Sequence, residues 1–159
     1  MVKVITYGTF DLFHQGHYNL LKRAKELGDY LIVGVTSESF DRNRGKLNVR
    51  DSLMKRIENV RNTGFADEII VEDYVGQKID DINKNHVNIF TVGSDWVGHF
   101  DYLKEYCEVR YLDRTQGISS TIIRNKEMIR IGIIGAERIV NRFLSESRYV
   151  SGISIQGIY

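Results

Sequence analysis

Two histidines, His14 and His17, stand three residues apart in the stretch YGTFDLFHQGHYNLLKRAKELGD (residues 7–29), with Gln15 and Gly16 between them. The run before them, VKVITYG, has the composition of a buried strand. After them Leu20, Leu21, Ala24 and Leu27 recur at helical spacing, with Lys22, Arg23, Lys25 and Glu26 mostly on the other side and Gly28 as a stop. The histidines therefore fall at the mouth of a helix. Unpaired N–H groups and the positive end of the helix dipole suit a phosphate near Gly16 and His17, where glycine permits close approach and the imidazoles add donors. A second cluster, RTQGISSTIIR (114–124), points to the same chemistry. Arg114 supplies a permanent cation with planar donors, Gly117 permits a tight turn, and Ser119, Ser120 and Thr121 offer hydroxyls while capping a new helix.

The elements that must position these clusters alternate along the chain. Strands are predicted at 2–8, 30–36, 68–71, 87–93 and 107–112, and helices at 17–27, about 51–63 and about 77–85. Short apolar strands separated by helices predict an α/β, doubly wound, Rossmann-like parallel sheet with right-handed crossovers. In such a sheet ligands bind beyond the carboxyl ends of the strands, where residues 8–17 lie. The polar segment RNRGK (42–46) is expected to be a mobile loop.

With 159 residues, 42% of them hydrophobic and 27% charged, the chain suits one ordinary globular domain with a short appendage. A formal net charge of +1 excludes a global basic field for nucleic acid or anionic membrane, so an anion must be held by a local cluster. The single cysteine, Cys107, excludes an internal disulfide framework and a cysteine-built zinc cage, and reads as a core residue. No apolar run reaches the ~18 residues of a membrane span, and the N-terminus carries no charged leader, so cytoplasmic residence is expected.

The pattern His-x-Gly-His after GTFD resembles the HxGH signature of the nucleotidyltransferase superfamily, and RTQGISST resembles the second signature of its cytidylyltransferases. Residues 1–128 are most similar to the glycerol-3-phosphate cytidylyltransferase family, through VITYGTFDLFHQGHYNLLKRAKELGDYLIV, GSDWVGHFDYL and CEVRYLDRTQGISST. The resemblance implies the nucleotidyltransferase fold, a homodimer, and transfer of CMP from CTP to glycerol 3-phosphate, giving CDP-glycerol for a teichoic-acid-like or capsular glycan. It places Thr9, Phe10, His14, Gln15, Gly16, His17, Lys46, Asp95 and the run Arg114, Thr115, Gln116, Gly117, Ile118, Ser119, Ser120 and Thr121 at CTP. His14, His17, Lys46 and Arg114 carry the catalytic roles. Arg44, Lys78, Arg56 and Asp11 fall toward the phosphorylated acceptor. Mg²⁺ is expected to accompany CTP, with Asp11 as a nearby carboxylate and no protein-built metal site.

This chain departs from the family pattern at three places: a family arginine is replaced near Gly64, a family tryptophan is Val75, and the segment 47–52 carries about one extra residue. Another polyol phosphate such as ribitol 5-phosphate is an alternative acceptor, and an adenylyltransferase or a non-catalytic nucleotide sensor is an alternative class. GSDW and RTQGISST favour cytidine, and suitable residues at every phosphate-binding position weigh against a sensor. Residues 129–159 resemble the opening of a second Rossmann unit of the NAD-dependent sugar oxidoreductase type, with a degraded glycine pattern in which Glu137 and Val140 follow Gly135. They are expected to be an incomplete extension or the start of a truncated second domain.

Overall fold

The computed structural model of the protein describes residues 1–127, 129–133 and 153–158. Five parallel strands, β1 (Lys3–Gly8), β2 (Tyr30–Thr36), β3 (Glu68–Glu72), β4 (Ile89–Gly93) and β5 (Glu108–Leu112), lie in the order β3-β2-β1-β4-β5. The predicted doubly wound sheet is thus present. Its order reverses between β1 and β4, and side chains splay apart at such a switch point to leave a crevice at the strands' carboxyl ends.

Alternation along buried strands builds a core on each face. Val4, Leu31, Val33, Val35 and Ile89 pack with Leu21 and Ala24 of α1 (Gln15–Glu26) and Val60 of α3 (Leu53–Asn62). On the other face Ile5, Tyr7, Ile32, Phe90 and Val92 pack with Ile82 of α4 (Gln77–Asn85) and Leu103 of a short 3-10 turn, Asp101–Glu105. Every strand residue from Leu31 to Val33 is fully enclosed, which is why these strands read as continuous apolar runs.

One expectation is corrected. The segment 42–46 is not wholly a loop: Glu38–Asn43 forms α2, so Arg42 and Asn43 are helical and only Arg44, Gly45 and Lys46 turn away from it. Ser37 caps the helix by accepting the Phe40 N–H at 3.1 Å, and Phe40 and Asp41 are buried beneath it. A six-residue helix is too short to show apolar periodicity in sequence. Beyond the sheet, α5 (Ser120–Glu127) precedes a separate parallel pair, β6 (Ile129–Ile133) and β7 (Ile153–Ile158). The degraded glycine pattern at Gly135, Glu137 and Val140 lies outside the described residues.

Tyr7 lies opposite Gly34 in the β1–β2 register, and its ring covers that glycine. A Cβ at 34 would stand 2.2 Å from Tyr7 Cδ1, so the side chain that walls the crevice depends on the missing atom. Gly34→Ala is expected to destabilise the fold by about 2 kcal/mol through overpacking. Urea unfolding of the two proteins measures it, and a loss below a few tenths of a kcal/mol contradicts this packing.

Candidate active site

Backbone geometry at the exit of β1 sets the site. Phe10 and Leu12 both take left-handed conformations, with φ of 54° and 49°, an arrangement that costs a non-glycine residue of order 1 kcal/mol or more and persists only when its surroundings impose it. Asp11 between them is 1% exposed, and its carboxylate accepts the Asp51 N–H at 2.9 Å, the Arg50 N–H at 3.1 Å and the guanidinium of Arg124. Asp51 reciprocates by accepting the Leu12 N–H at 3.1 Å, and the Ser120 hydroxyl donates to the Asp11 carbonyl at 2.8 Å. Burial pushes the Asp11 carboxyl upward, but the Asp51 N–H, Arg124 and the Arg50 N–H outweigh it and hold it below the usual range. The loop, the entrance to α3 and the first turns of α5 are thereby pinned to one carboxylate.

That pinning delivers His14 to the N-cap of α1. His14 Nδ1 accepts the Gly16 N–H at 3.0 Å, and His17 Nδ1 accepts the His14 N–H at 3.3 Å. With both Nδ1 atoms accepting, each neutral ring carries its proton on Nε2, which remains as the available donor. The rings stack with centroids 3.8 Å apart, and Phe10 and Phe13 flank His17 at 5.5 and 5.3 Å. Burial is the main cause that holds His17 neutral, pushing it down to about 3, with His14 and Lys46 adding to the shift. His14 is lowered too, by burial and then by Arg114. The glycine between them has a second duty beyond admitting an anion: a Cβ at 16 would stand 2.8 Å from the His14 ring, so a side chain there would displace it.

Cations surround the imidazoles. Lys46 donates to the Thr9 hydroxyl at 2.7 Å. Its ammonium pKa is lowered by burial, against the pull of Asp41. Arg114 follows β5 and reaches Asp95 at 3.2 Å, Asp95 lying in the 3-10 turn Ser94–Trp96 that follows β4. The segment around it is tied to α1 by Arg23, which donates to the Asp113 carbonyl at 2.7 Å, and by Asn19, which donates to the Thr115 hydroxyl at 3.2 Å. The cleft so enclosed has a volume of about 680 Å³, enough for a nucleotide with a small second substrate.

Of the residues expected from sequence, Thr9, Phe10, Asp11, His14, Gly16, His17, Arg44, Lys46, Lys78, Asp95, Arg114, Thr115, Ile118, Ser119, Ser120 and Thr121 line this cleft. Four others, Arg56, Gln15, Gln116 and Gly117, are not among the residues that line it. Arg56 is fully buried beneath the floor, where it donates to the carbonyls of Thr9 at 2.9 Å, Thr36 at 2.8 Å and Asp51 at 3.1 Å. Its guanidinium braces the loop from below. Gln15 turns outward to Asn19, and Gln116 and Gly117 are exposed at the outer turn of their loop, Gly117 at φ 79°. Asp11 lines the cleft, and its carboxylate is engaged by the three partners named above.

Sequence reading missed Arg124, Asp41, Asn48 and Glu72. Arg124 stands four residues after Ser120, and helical spacing puts both on the face that meets Asp11. Asp41 is 1% exposed and gathers Arg44 at 2.6 Å, the Thr36 hydroxyl at 2.8 Å and the Thr9 hydroxyl at 3.4 Å. Its signal lay in α2, which the sequence did not reveal. Among the described residues no group of three His, Cys, Asp or Glu side chains is placed to hold a metal ion, and no helix is long and apolar enough to cross a membrane.

Residues 5–126 match the family model described as cytidylyltransferase-like. The chain belongs to that family. It is similar to the glycerol-3-phosphate cytidylyltransferase of Bacillus spizizenii, with 52% identity over 124 residues that cover 78% of this chain and 95% of that protein. The glycerol-3-phosphate cytidylyltransferase of Staphylococcus aureus is 46% identical over 128 residues, 79% of this chain and 95% of the relative. Among solved structures, the lipopolysaccharide core biosynthesis protein from Thermoplasma volcanium superposes with a TM-score of 0.59 at 26% identity, over 72% of this chain and 97% of that one.

Two measurements check the electrostatics of the site. His17 is neutral in the fold down to about pH 3 but takes up a proton near 6.5 when unfolded. The unfolded chain therefore binds more protons between those values, and stability falls as the solution is acidified. The loss attributable to His17 is of order 2 kcal/mol between pH 6.5 and about 5, and denaturant titrations should show that slope flattened in His17→Gln. Asp11→Asn leaves Arg124 buried without its counter-charge, and is expected to cost about 3 kcal/mol in the same experiment at neutral pH.

Proposed function

We propose that the protein transfers CMP from CTP to glycerol 3-phosphate, forming CDP-glycerol and releasing pyrophosphate. The observation that carries this reading is the convergence, at one switch-point cleft, of two neutral imidazoles with available Nε2–H donors, a helix N-terminus, Lys46 and Arg114. The names of the relatives supply the nucleotide and the acceptor.

In the proposed reaction a phosphate oxygen of the acceptor attacks the α-phosphorus of CTP. The new P–O bond forms as the bond between the α-phosphorus and the bridging oxygen breaks, and the electron pair leaves with pyrophosphate. The nucleophile is an anion at neutral pH, so no general base is needed. Positioning and neutralisation of charge carry the catalysis. His14 and His17 donate Nε2–H bonds to the phosphate chain without adding a formal charge, because burial favours the neutral form of both. Lys46 and Arg114 offset the charge that develops on pyrophosphate. Asp95 pairs with Arg114 at 3.2 Å and orients it at the cleft. Mg²⁺ is proposed to arrive as part of the substrate, on the triphosphate, since the Asp11 carboxylate is already engaged by its three partners.

The test is pyrophosphate release with Mg²⁺, CTP or ATP, and glycerol 3-phosphate or ribitol 5-phosphate. Wild type is expected to need CTP and glycerol 3-phosphate. His14→Ala should lose about 10²-fold or more in kcat, since it removes a donor that strengthens as charge develops. Release with ribitol 5-phosphate alone reassigns the acceptor, and release with ATP alone overturns the assignment of the nucleotide.

A further inference from the structure

One end of the cleft contains a charge arrangement that phosphate binding does not require. Tyr7, Glu72, Lys78 and Phe100 meet there. Lys78 enters from the first turn of α4, and its side chain is 12% exposed. Its ammonium lies 4.5 Å from the centroid of the Tyr7 ring and 5.5 Å from that of Phe100, and it forms an ion pair with the Glu72 carboxylate, which is 3% exposed. Two aromatic faces and a buried carboxylate are what an ammonium group seeks when it leaves water. In this protein the ammonium they hold is the chain's own.

The walls of this box are fixed independently of Lys78. The Tyr7 hydroxyl donates to Asp81 at 2.7 Å, and Gln77 donates to the same carboxylate oxygen at 3.1 Å. Gln77 also accepts the Asp73 N–H at 2.8 Å and donates to the Val71 carbonyl at 2.8 Å, so the turn between β3 and α4 is braced. Phe100 packs against Phe90 at 5.1 Å and Trp96 at 5.8 Å. The box is therefore preorganised, and the lysine is the one component that a single substitution removes without dismantling the rest.

We propose that Lys78 is an internal ammonium that fills the cation site at the acceptor end of the cleft, so that acceptors carrying their own ammonium group are excluded and phosphorylated polyols are selected. This rests on the reading of the cleft as a CMP-transfer site. An amino-alcohol phosphate would bring a second positive charge against Lys78 and find Glu72 already neutralised. A polyol brings hydroxyls, which accept from the remaining Lys78 N–H donors and donate to Glu72 at no electrostatic cost. Lys78 is then a specificity-determining residue, and Glu72 acts through it by holding it between the rings.

The experiment compares wild type, Lys78→Met, Lys78→Arg and the double variant Lys78→Met with Glu72→Gln, all as full chains. It measures kcat/KM for CMP transfer from CTP to glycerol 3-phosphate and to phosphoethanolamine, together with calorimetric binding of choline. In Lys78→Met the ratio of the two kcat/KM values should shift toward phosphoethanolamine by about tenfold or more, and choline binding should appear. Lys78→Arg should keep the wild-type preference, and the double variant should lose the gain. A Lys78→Met protein with wild-type circular dichroism, an unchanged ratio and no choline binding overturns the inference. Should Lys78→Met fail to fold, Glu72→Gln in the wild-type background replaces it: weakening the ion pair must then lower discrimination against phosphoethanolamine, and an unchanged ratio overturns the inference. Wild type inactive with both acceptors refutes the CMP-transfer reading instead, and the choline titration still decides whether Lys78 fills a cation site.

Discussion

The buried Asp11 carboxylate is the interaction on which the site depends. A carboxylate removed from water is stable only when its charge is met by donors, and here the donors come from two distant parts of the chain: the backbone N–H groups of residues 50–51 and the guanidinium of Arg124 in α5, whose Ser120 hydroxyl also ties down the Asp11 carbonyl. Satisfying one ion thus brings together the exit of β1, the entrance to α3 and the start of α5. The same closure holds Phe10 and Leu12 in the left-handed region, and that bend turns the chain from β1 into the N-cap of α1. The placing of the His14 and His17 imidazoles is a consequence of this geometry.

A second constraint is the neutrality of those imidazoles. His17 is stacked on His14 and walled by Phe10 and Phe13, with Lys46 and Arg124 nearby, so protonation would place another cation in a region already crowded with them. The protein thereby keeps two roles apart. The cationic side chains, Arg114 and Lys46, supply charge. Neutral rings at the helix mouth supply directed hydrogen bonds whose tautomers are set by the backbone. The far end of the cleft follows a different logic, with Lys78 compensated by Glu72 and enclosed by rings, so that its charge is local and its donors remain available.

Much of this was legible in the sequence. The strands follow from short continuous apolar runs, and the three longer helices from helical spacing, because they are long enough for periodicity to register. The two clusters that line the cleft, around His14 and around Arg114, follow from residue type and from their positions at strand exits. The short helix α2 was not legible, and with it was lost Asp41, the buried acceptor that orders Arg44, Thr36 and Thr9. Arg56 shows the opposite failure. Its residue type suggests an anion ligand, yet an arginine on a helix can equally be drawn inward by unpaired carbonyls, and only burial distinguishes the two.

The sequence by itself determined the order of strands and helices, the placing of His14 and His17 at a helix mouth, and the presence of a second cationic, serine-rich turn, because these depend on local periodicity, caps and turn residues. Tertiary structure decided which charges line the cleft and which brace the fold. Asp11 and Arg124 are 113 residues apart, and Tyr7 and Asp81 are 74 apart. No local rule relates such residues. They meet because a parallel sheet with crossover helices brings the carboxyl ends of its strands to one edge, where each buried charge must find its partner.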